Sequence, residues 1–329
     1  MDSAQAVQKA VLAVLAGTPL RDAARQASME ASALSEAVEV FQQAGLSALG
    51  AQAAARSSWY QVHIRFPHWD SAEQSAVTHL GPWLRQAEER GLISSWWYVR
   101  KPPCWRLRCT PGTAATPAEL KEAVNVALEA LVARHLVATW WETIYEPETI
   151  VFGGPHAMDT AHRLFHADSK GILGYLGRPG PAAPPERTPG RRELSLLLCS
   201  LLMRSAGQEW SEQGDVWHQV SQFRPLPADT PPQRLRDMQP TLRRLMSVDA
   251  GSTSTLMGHG GPLAVFRPWA AAVEEAGAAL RDAAFIGRLD RGIRKVLAHH
   301  VLFHLNRLGL PDTTQAILAK AAYETAITR

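Results

Sequence analysis

The fold is decided by the stretch Tyr145–Gly154 (YEPETIVFGG), which separates two halves of the chain with different periodicities. Before it, alternating apolar and polar residues rich in Trp and Arg predict β-strands. After it, apolar residues recur with helical spacing to the end of the chain. A polar group interrupts the predicted helix 291–308, which precedes a last predicted helix at 313–327. We expect any active site to lie between the two halves. The group consists of His299, His300, His304, Asn306 and Arg307.

The bulk composition is that of an ordinary soluble globular protein. The 329 residues are 46% apolar and 20% charged, which excludes a disordered chain. The net charge of +3, from 34 Lys and Arg against 31 Asp and Glu, is too balanced to indicate nucleic-acid binding. Three scattered cysteines provide neither a disulfide framework nor a zinc motif. No apolar stretch approaches the roughly 20 residues that a membrane helix needs, so we expect a reduced, cytoplasmic protein with no membrane contact.

Residues 1–55 are predicted to form a small helical module that resembles a helix-turn-helix. Its third helix carries Glu36, Glu39, Gln42 and Gln43 but no Arg or Lys, whereas recognition helices approach phosphates with basic flanks. DNA binding is therefore disfavoured, and docking of a protein or peptide partner is favoured. The predicted helices are 4–15, 20–27 and 33–44, with Gly45 as a helix stop and 47–56 as a linker.

The remaining residues, 56–329, are predicted to be one domain with a sheet-rich half, 56–154, and a helical bundle, 155–329. In the first half the elements run strand, helix, strand, strand, helix, strand, which is the order of ferredoxin-like folds. The predicted fold class is therefore α+β. The strands are predicted over 59–66, 95–100, 105–110 and 137–145.

Two arginines of the third strand point to an anion site. Successive side chains of a strand face opposite ways, so Arg106 and Arg108 share one face of the predicted sheet. Neighbouring guanidinium groups repel each other, and carboxylates or phosphates between them relieve that repulsion. Arg100, across the turn, is a candidate third member. The alternative is a solvated sheet face whose arginines pair with glutamates of a covering helix.

Two histidines, His300 and His304, lie four residues apart and so share one helix face. The zinc motif His-Glu-x-x-His requires a glutamate where this chain has Val301, and no third ligand is near in sequence, so no metal is expected. His304 is the stronger candidate for acid–base chemistry, because the polar Asn306 and Arg307 follow it in an otherwise apolar helix. The alternative is a core histidine whose hydrogen bonds are satisfied by the backbone.

Four segments together resemble the C-terminal elimination domain of lantibiotic dehydratases, which also occurs as a stand-alone protein in thiopeptide and lanthipeptide pathways. They follow the family's order across about residues 57–320, and the N-terminal module lies outside the match. The segments are WRLR at 105–108, YEPE at 145–148 with FGG at 152–154, FHADS at 165–169 and HLNRLG at 304–309.

The resemblance implies an enzyme that removes glutamate from glutamylated Ser or Thr of a precursor peptide, leaving dehydroalanine or dehydrobutyrine. It implies that Arg106 and Arg108 bind the departing glutamate and that His304 transfers a proton. No cofactor is required. The implied partners are the leader and core of the precursor peptide and a glutamyl-tRNA-dependent glutamylating enzyme, and a homodimer is left open. The further candidate substrate-binding residues are Tyr145, Glu148, Asn306 and Arg307.

The sequence departs from the family's pattern in one place. The family's segment before Gly-Gly often carries another arginine, whereas this chain has Val151 and no arginine there. Either Arg100 or Arg163 substitutes for it, or the activity differs. The alternative activity is a pyridine-forming cycloaddition of two dehydroalanines, which uses aromatic residues of a late helix. Trp269 is available for that role, but Val273 stands one turn later where a tyrosine is expected, which favours elimination.

A third hypothesis is a non-catalytic subunit that binds the peptide for a partner glutamylating enzyme. It accounts for both the missing arginine and the additional helical module.

Overall fold

The computed structural model describes residues 3–56, 59–178 and 189–328. The chain divides into two compact units, Met1–Ser58 and Trp59–Arg329. Most of the predicted Pro/Gly-rich loop at 177–190 lies outside the described residues.

The first unit contains α1 (Ser3–Leu15), α2 (Leu20–Gln26) and α3 (Ala31–Arg56) around a small apolar core. The prediction that Gly45 ends the third helix is wrong, because α3 continues through it to Arg56. A glycine inside a helix costs only about 1 kcal/mol relative to alanine, and the alanine, leucine and glutamine residues around it favour the helix. The core residues are Ala10, Val11, Ala23, Ala24 and Leu34.

The second unit begins with a four-stranded antiparallel sheet in the order β2-β3-β1-β4. The predicted alternation of strands and helices is observed, and the mixed α+β class is confirmed. A π-helical turn, Ala76–Leu80, joins the two helices that follow the first strand. The elements are β1 (Tyr60–Arg65), α4 (Trp69–Ser75), α5 (Gly81–Glu89), β2 (Ile93–Lys101), β3 (Cys104–Pro111), α6 (Pro117–Ala133) and β4 (Thr139–Thr143).

Seven helices follow the sheet. Among them α8 is buried along almost its whole length, as expected for a helix that is apolar on every side. No helix in the described ranges is both long and apolar enough to cross a membrane. The helices are α7 (Pro155–Leu176), α8 (Arg191–Ser205), α9 (Trp210–Phe223), α10 (Pro232–Ser247), α11 (Arg267–Phe285), α12 (Ile293–Leu308) and α13 (Asp312–Ile327).

The two faces of the sheet have different roles. Val62, Ile64 and Leu107 belong to the main apolar core, together with buried residues of α5 and α6. The opposite face carries the two arginines, because Arg106 pairs in register with His63 and Val99 and Arg108 pairs with Trp97 and Gln61. Directly opposed residues of neighbouring strands project to the same side. This second face, called the arginine face below, is where the site is built.

Helix α7 covers the free edge of β2 with side chains of the FHADS segment. The backbone N–H of Trp96 donates to Nδ1 of His166 (3.1 Å), and that of Tyr98 donates to Oγ of Ser169 (3.3 Å). Unpaired backbone groups of an edge strand need such partners when they are buried. His166 and Ser169 therefore fix α7 against the sheet, and Phe165 and Asp168 are placed by that contact.

The glycine pair of the opening stretch makes the turn into α7. Gly153 and Gly154 have φ angles of +94° and +100°, which side-chain-bearing residues rarely adopt. The backbone N–H of Asp290 donates to the carbonyl of Gly153 (3.0 Å), and the Asp290 carboxylate occupies the space that a Cβ on Gly154 would need. The turn is thereby attached to the segment that leads into α12.

Candidate active site

Arg108 is a buried cation without a counter-ion. Its residue is 5% exposed, and its Nε and Nη1 atoms have no hydrogen-bond acceptor among the described residues. The guanidinium carbon lies 4.0 Å from the ring centroid of Trp97 and 4.8 Å from that of Tyr145. Burial lowers the pKa of Arg108 to about 10, against the opposing effect of Tyr145 and Glu148, so the group remains charged at neutral pH. Two aromatic faces contact the charged group, and Glu148 acts on it through its own charge.

The rings of Trp97 and Tyr145 contact this guanidinium, and Trp59 and His162 pack against those two rings. These four side chains are called the aromatic box. Trp59 contacts the other three, with ring centroids 6.3 Å from Trp97, 6.1 Å from Tyr145 and 4.8 Å from His162. The hydroxyl oxygen of Tyr145 lies 2.9 Å from Nε2 of His162. The box joins residues from the starts of β1 and α7 with β2 and the segment after β4, so it forms only in the folded chain.

The protonation states within the box follow from burial. Burial lowers the pKa of His162 to about 4, and the charge of Arg108 acts in the same direction. Burial also raises the pKa of Tyr145, although Arg108 opposes that shift. At neutral pH the imidazole is therefore neutral, and its Nε2 shares a hydrogen bond with the Tyr145 hydroxyl. The sequence predicted Tyr145 but not His162, whose only local signal is its position one turn before the FHADS segment.

Arg106 lies beside the box on the arginine face. It is half-buried and has no carboxylate partner among the described residues. Burial lowers the pKa of the neighbouring His63, and the charges of Arg106 and Arg108 lower it further. The predicted alternative, glutamates from a covering helix that neutralise the pair, is not found in the described part of the chain. The arginine face therefore keeps two uncompensated positive charges.

A second polar group, called the carboxylate cluster, consists of Asp168, Trp269, His304 and Arg307. Oδ1 of Asp168 accepts from Nε1 of Trp269 (3.1 Å) and lies 2.8 Å from Nδ1 of His304. Oδ2 accepts from Nη1 of Arg307 (2.8 Å). Burial by itself would raise the pKa of Asp168, but His304 and Arg307 outweigh it, and the carboxyl pKa lies below its ordinary value.

The carboxylate cluster is closed to solvent. His304 and Arg307 are both buried, and together with Leu202 they line an internal cavity of about 20 Å³. That volume accommodates about one water molecule. Trp269 is 4% exposed, and its ring occupies the space that a Cβ on Gly171 would need. The exposed fraction of His304, 8%, is close to that of Arg108, and Trp269 also lines a separate pocket of about 400 Å³.

An aromatic layer lies between the arginine face and the carboxylate cluster. The Trp97 ring contacts Arg108 on one side and Phe165 on the other, with ring centroids 4.7 Å apart. The guanidinium carbon of Arg307 lies 4.7 Å from the Phe165 ring. The structure thus brings together Arg106, Arg108 and Tyr145. It places His304 and Arg307 behind the Trp97–Phe165 layer.

Arg100 does not join the arginine pair, so that expectation is wrong. It opposes Trp105 in the β2–β3 register and therefore shares that residue's face, with its guanidinium carbon 4.6 Å from the Trp105 ring. Its Nη2 donates to Glu73 (2.6 Å), which also binds Arg191. The burial of this ion-paired group within the fold leaves it no contact with the arginine face.

The other predicted residues are dispersed around the arginine face. Arg163 is exposed, donates to Thr160 (3.1 Å) and lines a separate cleft of about 310 Å³. The arginine that reaches Val151 is Arg291, whose Nη1 lies 3.4 Å from the carbonyl of Val151.

Asn306 accepts from Arg224 (3.2 Å) and Gln315 (3.0 Å) on neighbouring helices. Glu148 is exposed and acts on Arg108 and Tyr145 through its charge.

The model of the family described as "Lantibiotic biosynthesis dehydratase C-term" matches residues 59–326. The chain belongs to this family. The match contains both the arginine face and the carboxylate cluster, and it begins after the N-terminal helical unit.

Three solved structures share the fold, at identities below 20%. The tRNA-dependent lantibiotic dehydratase MibB from Microbispora sp. 107891 is 19% identical with a TM-score of 0.56, and the match covers 82% of this chain and 28% of MibB. TsrL is 18% identical with a TM-score of 0.50, covering 82% of this chain and 95% of TsrL. The pyridine synthase TbtD from thiomuracin biosynthesis is 14% identical with a TM-score of 0.56, covering 82% and 97%. The comparison with curated proteins found no match.

Proposed function

We propose that this protein eliminates glutamate from glutamylated Ser or Thr residues of a precursor peptide, as a lyase of ribosomal peptide antibiotic biosynthesis. The observation that carries the proposal is the buried, unneutralised guanidinium of Arg108 beside Arg106. A guanidinium presents two parallel N–H groups that match the two oxygens of a carboxylate. Burying such a charge is costly unless a ligand repays the cost, so a carboxylate-bearing substrate accounts for the arrangement.

The reaction needs a base and an anion receptor. The Cα–H bond of the modified residue breaks, its electron pair forms the Cα=Cβ double bond, and the Cβ–O bond breaks. Glutamate leaves as a carboxylate, and the α-proton passes to a base. Arg106 and Arg108 bind the glutamyl group, so that the leaving carboxylate gains stabilisation as its charge develops.

Family membership supports the rest of the proposal. The substrate is a precursor peptide with leader and core, and a glutamyl-tRNA-dependent enzyme supplies the glutamylated form in the cytoplasm. Glu148, Arg163 and Asn306 are proposed to contact the peptide around the arginine face. The sheet, with its strand order β2-β3-β1-β4, is proposed to be a ferredoxin-like unit.

Pyridine-forming cycloaddition is the less favoured activity. The aromatic residue expected to serve it, Trp269, is 4% exposed, and its indole N–H is bound by Asp168. The unneutralised arginines also have no task in joining two uncharged dehydroalanines, whereas they suit the departure of an anion.

The test is incubation of the purified protein with a precursor peptide glutamylated on serine, followed by mass spectrometry. Loss of one glutamate with formation of one dehydroalanine is the expected result. Release of the leader from an already dehydrated peptide, without action on the glutamylated form, would establish the cycloaddition. Binding of the glutamylated peptide with no change in its mass would establish a peptide-binding subunit.

A further inference from the structure

The arginine face needs a proton acceptor, and the aromatic box contains one that the predicted site lacked. The Tyr145 ring lies against the guanidinium of Arg108, and its hydroxyl is bound to Nε2 of His162. Trp59 and Trp97 pack against both residues and hold them in place. A substrate carboxylate bound to Arg108 would therefore bring the rest of the glutamyl ester next to the Tyr145 hydroxyl.

We propose that Tyr145 accepts the α-proton of the elimination and passes its own hydroxyl proton to His162. The inference rests on the proposed function, which it extends by naming the base. Tyr145 is the catalytic residue because it touches the substrate, and His162 is a positioning residue that acts through Tyr145.

The step balances within these two side chains. The Cα–H bond breaks, and the proton is taken up by the Tyr145 oxygen while the Tyr145 O–H bond breaks. Nε2 of His162 takes that second proton and becomes an imidazolium. The electron pair of the C–H bond forms the Cα=Cβ bond, and glutamate leaves with the electron pair of the Cβ–O bond. After the product departs, the proton returns from His162 through Tyr145 to solvent.

Arg108 links this relay to substrate binding. In the free protein its charge disfavours the imidazolium form of His162, because both groups lie within the same box. A carboxylate on Arg108 offsets that charge, so that His162 becomes a stronger base only when a glutamyl group is present. Unmodified serine, which brings no carboxylate, leaves the relay inactive.

His304 is less suited to this role. Its Nε2 has no partner among the described residues, but the Trp97–Phe165 layer lies in the line of contacts from Arg108 to the carboxylate cluster. Tyr145, after β4, and the rings of Trp59, Trp97 and Phe165 contact His162. Arg108 on β3 acts on it through its charge. No described carboxylate binds its ring.

The test compares wild type with Tyr145→Phe, His162→Gln and the double variant on the glutamylated precursor peptide. Phenylalanine keeps the ring against Arg108, and glutamine keeps an acceptor for Tyr145 but cannot take up a proton. Each single variant should lower kcat by about 10²-fold or more, the usual contribution of general acid–base catalysis, with little change in KM. The double variant should be no worse than the poorer single variant, because the two groups act as one unit.

Two further measurements separate catalysis from structure. The kcat of wild type should fall as the pH drops below the pKa of His162 in the complex, which lies above about 4 because the bound carboxylate offsets Arg108. That acid limb should be missing in His162→Gln. Tyr175→Phe and His68→Gln, which lie outside the site, should behave as wild type.

The outcomes are distinguishable. A wild-type protein that removes no glutamate overturns the proposed function. A wild type that removes glutamate, together with a Tyr145→Phe variant of unchanged kcat, overturns only the relay. If His162→Gln loses activity yet retains the acid limb, His162 supports the fold and does not accept the proton. Should His162→Gln fail to fold, the Tyr145→Phe result decides.

Discussion

The carboxylate cluster and the arginine face each contain a buried arginine. In the cluster a carboxylate binds that arginine, whereas on the arginine face no described carboxylate does. In the cluster, Asp168 is bound by Arg307, His304 and Trp269, so the buried charges neutralise one another. On the arginine face, Arg108 is equally buried and has only aromatic rings against it. An arginine whose charge is paired with a carboxylate has less need of an anionic ligand. An arginine that no carboxylate binds can bind an anionic ligand instead.

This difference decides which arginines are candidates for substrate binding. Arg307 is buried and Arg100 is half-buried, but Asp168 already compensates the first and Glu73 the second. Arg106 and Arg108 have no such partner among the described residues. The difference also predicts opposite responses to mutation, since removal of one member of a buried ion pair leaves an uncompensated charge behind.

The largest effect is expected for Asp168→Ala. Loss of the carboxylate leaves Arg307 buried without a partner and removes the acceptor of His304 and Trp269. The variant should lose about 3–5 kcal/mol of unfolding free energy, the usual cost of breaking a buried pair. Urea denaturation measures it. Asp159→Ala, an exposed aspartate of the same helix, should stay within about 0.5 kcal/mol of wild type. Equal stabilities for the two variants would contradict the structural role of the cluster.

The next effect is on activity, in Arg108→Met. Methionine fills the space between Trp97 and Tyr145 without charge, so the fold should be as stable as wild type or more so. Glutamate elimination should fall about 10²–10³-fold, as when one preorganised donor to a developing anion is removed. Arg85→Met, at an exposed position on α5, is the control. A stable Arg108→Met variant with wild-type turnover would remove the arginine face from the mechanism.

The sequence predicts those parts of the molecule that depend on local periodicity. Alternation placed Arg106 and Arg108 on one face, and helical spacing located the bundle, since both are set by neighbours in the chain. His162 was missed because its partner Tyr145 is reached only across the Gly153–Gly154 turn. Arg100 was misplaced because its face depends on the register of the β2–β3 hairpin.

Contacts between distant segments could not be predicted from the sequence. Asp168 and His304 are 136 residues apart, so the pattern showed two polar motifs but not that they bind each other. A histidine near an asparagine and an arginine in an apolar helix was therefore interpreted as catalytic. In the structure His304 and Arg307 bind the Asp168 carboxylate, whereas Asn306 accepts from Arg224 and Gln315 on neighbouring helices.

The smallest expected effect is on the pH dependence of the unfolding free energy, which should respond to changes in the carboxylate cluster but not on the arginine face. Because the folded-state pKa of Asp168 lies below its ordinary value, its contribution is complete above the unfolded value of about 3.9 and is lost as the pH falls through the folded pKa. Asp168→Asn keeps the shape but does not titrate, so its unfolding free energy should fall less steeply than that of wild type below about pH 4. Glu73 and Glu88 also have lowered pKa values, but both proteins retain them, and the difference isolates Asp168. Arg108→Met should follow the wild-type slope, because no described carboxylate pairs with Arg108. Parallel curves for wild type and Asp168→Asn would show that the cluster does not depend on the charge of its carboxylate.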